Sequence, residues 1–154
     1  MRSNCHESHI TMSVQSLTSM NSIPNSLSGQ LVFTDKAISF WGGIDPNSGK
    51  VIDINHPLYN TSLAGKICFF CDIKGSTAAP GALLEWLGST AAPSAIITLR
   101  FEPMVFSAFA AMQLINKSSS VHYAWCQGNT DLKTISQTHR VKISQNILYL
   151  STVK

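Results

Sequence analysis

The stretch Phe40-Trp41-Gly42-Gly43-Ile44-Asp45-Pro46-Asn47-Ser48-Gly49-Lys50-Val51-Ile52-Asp53-Ile54-Asn55-His56-Pro57 anchors the reading of this chain. It holds three glycines, two prolines, two aspartates, a tryptophan and a histidine in eighteen positions. Neither an amphipathic helix nor a plain strand pair needs such a mixture. Gly42-Gly43 admits backbone angles closed to residues with a Cβ. Asp45-Pro46-Asn47-Ser48-Gly49 is a turn with a mechanism, because proline presets one dihedral, Asn and Ser bond locally, and glycine supplies positive φ. At Asn55-His56-Pro57 the proline drives His56 towards an extended conformation. The expectation is two short β runs, residues 38–41 and 50–54, joined by an elaborate surface turn.

Upstream, residues 30–33 and 37–41 read as the first regular strands. Residues 1–28 are rich in Ser, Asn, Thr and Met without any period, and read as a disordered or loosely attached extension. Cys5, His6 and His9 lie in it, where the solvated reading outweighs metal binding. Downstream, residues 67–73 are an almost continuous apolar run, suited to a strand buried on both faces. A loop follows over 74–81, then an amphipathic helix over 82–87. Residues 94–99 read as a strand, 104–115 as a helix and 121–126 as a strand. Residues 132–135, 141–143 and 146–151 read as hairpin-like strands. This order implies an α/β fold, a mixed sheet layered with helices and additional strands, in one domain over residues 29–154.

Composition bounds the function. A length of 154 residues suits one domain with a real core. Charged residues are 12% of the chain, against about a quarter in typical soluble domains. Either Ser, Thr and Asn cover the surface, or another domain does. The net charge is +3 and the eleven Lys and Arg are scattered, so nothing supports nucleic-acid binding. No apolar run is long enough to span a bilayer, since Ser107 and Gln113 interrupt the best candidate. Signals for export or organelle import are lacking, so a cytoplasmic location is expected. Cys68-Phe69-Phe70-Cys71 has redox spacing, but strand alternation puts the two thiols on opposite faces. Ordinary strand cysteines are expected there, and no metal.

Ser76 is the strongest candidate for chemistry. Its loop leaves the strand at 67–73 and feeds a helix, a place where ligands collect in open α/β sheets and where free N–H groups favour anions. A hydroxyl works as a base only if donors and a cation stabilise its alkoxide, and Lys74 supplies such a charge. The competing reading is a turn serine bonded to its own backbone. For Asp45, Asp53 and His56 the bland reading is turn chemistry. The functional one is a surface facing another domain and the substrate.

Ser39-Phe40-Trp41-Gly42-Gly43-Ile44-Asp45-Pro46, then Gly49, Ile52-Asp53, His56-Pro57 and Ser62-Leu63-Ala64-Gly65-Lys66, closely resembles the swivel domain of the aconitase X family. The likeness continues through Lys74-Gly75-Ser76, Leu83-Leu84-Glu85 and Ala92-Pro93-Ser94-Ala95-Ile96-Ile97, over roughly residues 29 to 150. It implies the swivelling β/β/α fold and a role as the small subunit or domain of a hydro-lyase. The implied substrate is a small hydroxy acid, with hydroxyproline and phosphomevalonate as known classes. Ser76 is then the proton-transfer residue, and Lys74, Gly75 and Thr77 contact substrate. Trp41, Gly42, Gly43, Asp45, Asp53 and His56 belong to the loop facing the large catalytic domain. The iron–sulfur cluster is expected on that partner, with no cofactor held here, so the chain alone should be inactive.

Departures from the family's pattern support an alternative, a non-catalytic interaction or regulatory module. Relatives follow the serine with small polar residues and glycine, whereas this chain has Thr77-Ala78-Ala79-Pro80. Ala78 and Ala79 are poor caps and Pro80 lacks an N–H. Lys74 stands where an arginine is usual, Ala108 about where a glycine is usual. Asn60 also replaces a glycine, a mild change because Asn tolerates left-handed angles.

Overall fold

The computed structural model describes residues 9–16, 26–115, 120–136 and 138–151. In chain order the elements are β1 (His9–Ser16), β2 (Leu27–Thr34), β3 (Ile38–Ser39), β4 (Ile67–Phe70), β5 (Ile73–Lys74), α1 (Ala79–Leu87), β6 (Ala95–Thr98), α2 (Pro103–Ile115), β7 (His122–Cys126), α3 (Leu132–Ser136), β8 (Arg140–Ser144) and β9 (Ile147–Ser151). Seven strands close a barrel in the order β1-β7-β6-β4-β2-β8-β9, and β9 pairs back onto β1. Strands β2, β4, β6 and β7 run parallel, as connections through helices allow, while β1, β8 and β9 complete the wall by antiparallel pairing. None of the helices described is long and apolar enough to cross a membrane.

Strand β4 shows why the wall is two-sided. All four of its residues are buried, and successive side chains point to opposite faces. Ile67, Phe69 and Cys71 join the barrel interior with Leu31, Ile97, Ala124, Ile143 and Leu148. Cys68 and Phe70 join an outer layer with Leu83 and Trp86 of α1 and Val105 and Phe109 of α2. The two thiols therefore face separate cores, as the alternation implied. Trp86 is 1% exposed and its indole N–H donates to the Ala91 carbonyl at 2.9 Å. That bond ties the loop after α1 to the helix.

Several expectations need correction. His9–Ser16 is a strand paired with β7 and β9, not a loose extension, and β2 starts at Leu27. Ile10, Met12 and Val14 alternate with Thr11, Ser13 and Gln15, a strand period that the Ser- and Asn-rich sequence around it obscured. The other expected parts of the extension, residues 1–8 and 17–25, lie outside the described residues. Leu132–Ser136 is a helix, not a strand. Asp131 caps it, accepting from the N–H groups of Lys133 and Thr134 at 3.1 and 3.4 Å, and Ile135 turns into the barrel core. Leu132 and Ile135 stand at i, i+3, a helical spacing that strand alternation would split between opposite faces. Residues 50–54 form only isolated bridges, Ile44 with Val51 and Lys50 with Ser62. The run 67–73 breaks after Phe70, and β5 leaves the barrel to pair with β3. Helix α1 starts earlier than expected, with Pro80 in its first turn.

Candidate functional site

The long loop between β3 and β4 is built on its own hydrogen bonds. Asp45 N–H donates to the Lys50 carbonyl at 2.9 Å, Ile52 to Gly43 at 2.9 Å, Val51 to Thr61 at 3.0 Å and Leu63 to Gly49 at 2.8 Å. Ile44, Val51 and Leu63 anchor it in the outer core at 3%, 0% and 0% exposure. Gly42, Gly49 and Gly65 take the positive φ that such reversals need, and Asn60 does so at 63°. The Asp45 carboxylate accepts from the Ser48 hydroxyl at 2.5 Å and from Asn47 N–H at 3.1 Å. The Ser48 bond is the larger cause that holds its pKa below the ordinary 3.8. Asp53 accepts from Asn55 N–H at 2.9 Å. Both aspartates thus do turn chemistry.

His56 is buried and ties this loop to the barrel. Its Nδ1 accepts from Leu58 N–H at 3.1 Å, which places the ring proton on Nε2, 3.5 Å from Thr34 Oγ1. Thr34 Oγ1 also accepts from Lys36 N–H at 3.0 Å. One buried imidazole therefore links residues 56–58 to the carboxyl end of β2.

Around this tie, Lys36, Ala37, Asp53, Asn55, His56, Pro57 and Lys74 line a hollow of about 340 Å³. Three of the residues singled out from sequence, Asp53, His56 and Lys74, meet there. Gly75, Ser76 and Thr77 continue from Lys74 as an exposed loop into α1. Among the described residues, the N–H groups of Ser76, Thr77 and Ala78 have no hydrogen-bond partner, and the Ser76 hydroxyl has none either. Ala78 is the N-cap of α1 and makes no side-chain cap bond. Nearby Arg100 is engaged by Glu102 at 3.2 Å and Asp72 at 3.7 Å, whereas Lys74 has no ion pair among the described residues. Trp41 and Gly42 are exposed, Gly43 is buried, and none of the three lines the hollow. Lys36 and Thr34 were missed in the sequence. Their only signal was position, at the carboxyl end of a strand.

The same loop bears four of the large apolar side chains left in solvent, Trp41 at 63%, Ile52 at 47%, Ile54 at 74% and Tyr59 at 53%. Among the described residues no three His, Cys, Asp or Glu side chains gather as metal ligands would. Cys71 and Cys126 are buried thiols whose pKa burial pushes up to about 11, and burial raises that of Cys68 further.

The family model described as the aconitase X swivel domain matches residues 16–151. The phosphomevalonate dehydratase small subunit of Methanothermobacter thermautotrophicus is 33% identical over 93 residues, 59% of this chain and 71% of that protein. That of Methanocella arvoryzae is 36% identical over 77 residues, 50% of this chain and 58% of that one. The cis-3-hydroxy-L-proline dehydratase of Pseudomonas aeruginosa is 35% identical over 97 residues, 62% of this chain, but the match spans only 17% of that enzyme. Holo-form aconitase X of Thermococcus kodakaraensis shares the fold with a TM-score of 0.69 at 22% identity, covering 92% of this chain and 98% of that one. A UPF0107 protein solved in solution gives 0.67 at 25% identity with the same coverage. From the match to the family model and the similarity to the small subunits, the chain belongs to the aconitase X swivel-domain family.

Proposed function

We propose that this chain is the small, swivel part of a hydro-lyase that dehydrates a small hydroxy acid, with Ser76 as its proton-transfer residue. The observation that carries this reading is an exposed Ser76 hydroxyl on a loop where the N–H groups of Ser76, Thr77 and Ala78 and the Lys74 ammonium have no partner among the described residues. A serine hydroxyl takes a proton from carbon only after losing its own. The N–H groups and the Lys74 ammonium lower the cost of that alkoxide. Gly75 and Thr77 offer substrate contacts on the same loop. Trp41, Gly42, Gly43, Ile52, Ile54 and Tyr59 present the face on which the large catalytic domain docks.

The iron–sulfur cluster is assigned to that partner. The donors present do not suit one here, because Cys68 and Cys71 face different cores and their thiols resist ionisation. A cytoplasmic setting accords with three free buried cysteines. The test is reconstitution with the large domain of a relative. Mixed protein should dehydrate hydroxyproline or phosphomevalonate, and Ser76→Ala should lower kcat by about a hundredfold or more. Turnover by the chain alone, or an unaltered rate in the alanine variant, refutes the assignment. A second reading, a non-catalytic module, is favoured by the uncapped Ala78 and by Pro80 removing a donor from the first turn. It predicts tight association with the large domain and no turnover.

A further inference from the structure

Two connections leave the carboxyl ends of the neighbouring parallel strands β4 and β6, and Arg100 spans them. The connection after β6 is held at three points. The Thr98 hydroxyl donates to the Arg100 carbonyl at 2.7 Å, so the Tyr123 O–H, 3.0 Å away, donates to Thr98 Oγ1. The Tyr123 oxygen in turn accepts from Glu102 N–H at 2.9 Å. Between Arg100 and Glu102, the Phe101 ring centroid lies 5.6 Å from that of Phe106 and 5.1 Å from that of Trp125. Thr98 and Tyr123 are buried, so residues 100–102 form a fixed platform.

From it the Arg100 guanidinium reaches Glu102 at 3.2 Å and Asp72 at 3.7 Å. Asp72 is the hub of the connection after β4. Its carbonyl accepts from Ile38 N–H at 3.2 Å, and the carboxylate oxygen that meets Arg100 also accepts from Ile73 N–H at 3.0 Å. This hub stands at the start of β5, and beyond Lys74 only Gly75 precedes Ser76. The far side of Ser76 is tied to α1, because its carbonyl accepts from Ala79 N–H at 3.1 Å.

We infer that Arg100 is a positioning residue for Ser76, bracing Asp72 against the β6 platform and so fixing where β5 delivers the serine loop. This rests on the swivel-subunit reading above. Arginine suits such a brace, because its planar fork of donors can hold two carboxylates at once. The Arg100 and Asp72 side chains are 68% and 57% exposed, so water screens the pair and the brace biases the loop without locking it. Displacing a reacting hydroxyl lowers the rate, and a bias of this size makes the effect a few-fold one.

The test follows amide hydrogen exchange and amide chemical shifts in the full 154-residue chain. Arg100→Ala should speed exchange at Ile73 and Lys74 about two- to fivefold and shift the Ser76 and Thr77 amides, with Lys142 and Tyr149 on the far barrel wall unchanged. Asp72→Asn keeps an acceptor for Ile73 N–H but loses the charge, so it should do the same, and the double variant should do no more than either alone. Arg100→Lys, which cannot span both carboxylates, should fall between Arg100→Ala and wild type. In protein reconstituted with the large domain of a relative, Arg100→Ala should lower kcat about two- to fivefold at unchanged KM. Unchanged exchange at Ile73 and Lys74, additive effects in the double variant, or a raised KM with kcat intact would each overturn the inference. If the exchange pattern appears while the wild-type mixture dehydrates nothing, the swivel-subunit reading fails and the brace stands.

Discussion

Replacing Gly49 by alanine tests whether the long loop is held as tightly as its hydrogen bonds imply. Gly49 has φ +66°, and a Cβ there would lie 2.6 Å from the Ala91 carbonyl oxygen and 3.3 Å from Ala64 Cβ. Its N–H donates to the Asp45 carbonyl and its carbonyl accepts from Leu63 N–H, each at 2.8 Å. The backbone is bonded on both sides and cannot slide away from the added methyl. The left-handed conformation costs a non-glycine residue about 1–2 kcal/mol. Forcing a close contact against backbone adds about 1–3 kcal/mol. Gly42→Ala is the control, because Gly42 has φ +73° with nothing within 4 Å, so it pays the first term only. Urea unfolding with linear extrapolation measures both. Gly49→Ala should lose about 1–3 kcal/mol more than Gly42→Ala. Equal losses within about 0.5 kcal/mol would show that the segment around Ala91 yields freely, and the picture of a rigid loop would be wrong.

Trp86→Phe removes the indole N–H from the Ala91 carbonyl and leaves a buried acceptor unpaired, so it should cost about 1–3 kcal/mol in the same unfolding assay. Trp86→Ala should cost about 3–5 kcal/mol. The buried thiols predict alkaline sensitivity. Cys71 and Cys126 keep their protons in the folded chain up to about 11, against an ordinary value of 9.0. Between those values the native state binds more protons than the unfolded one, so stability falls as pH rises through that window. Thermal melts of the wild type and of a Cys71→Ser, Cys126→Ser variant should diverge least below pH 9, and a wild type whose stability is flat across the window would contradict this.

What the sequence made legible follows from local physics. The turn at Asp45–Gly49 was readable because Asp, Pro, Asn and Gly act on their own neighbours, and the bonds to Asp45 are local ones. The alternation of Ile67 to Phe70 predicted two cores because period 2 needs no partner to be named. Barrel closure was not readable. It depends on β1 finding both β7 and β9, more than a hundred positions away in register such as Val14 with Cys126 and Met12 with Leu148, and pairing partners leave no local mark. The short helix α3 was missed for a different reason: its i, i+3 pair Leu132 and Ile135 fits a helix, but two apolar residues are a weak signal beside the alternating runs that follow. At the hollow, Lys74 was visible through its loop. Lys36 was not, because its relation to the hollow runs through Thr34 and His56, twenty-two positions apart.

The architecture of the long loop explains how it can be both well ordered and apolar outside. Val51 and Leu63 are fully buried and Ile44 nearly so, while Ile52, Ile54 and Tyr59 stand in solvent. The inner set anchors the loop in the outer core it shares with α1 and α2, and His56 pins its far end to Thr34. Ordering such a segment only on docking would cost about 1–2 kcal/mol of backbone entropy for each residue fixed. Here that cost falls within folding, so the exposed apolar side chains are already in place when a partner arrives. The hollow shares the same frame, with Asp53 and His56 from the loop, Lys36 from the end of β2 and Lys74 from β5. On the proposed reading, a partner that seats on Trp41, Ile52 and Ile54 engages the same loop whose Asp53 and His56 line the hollow.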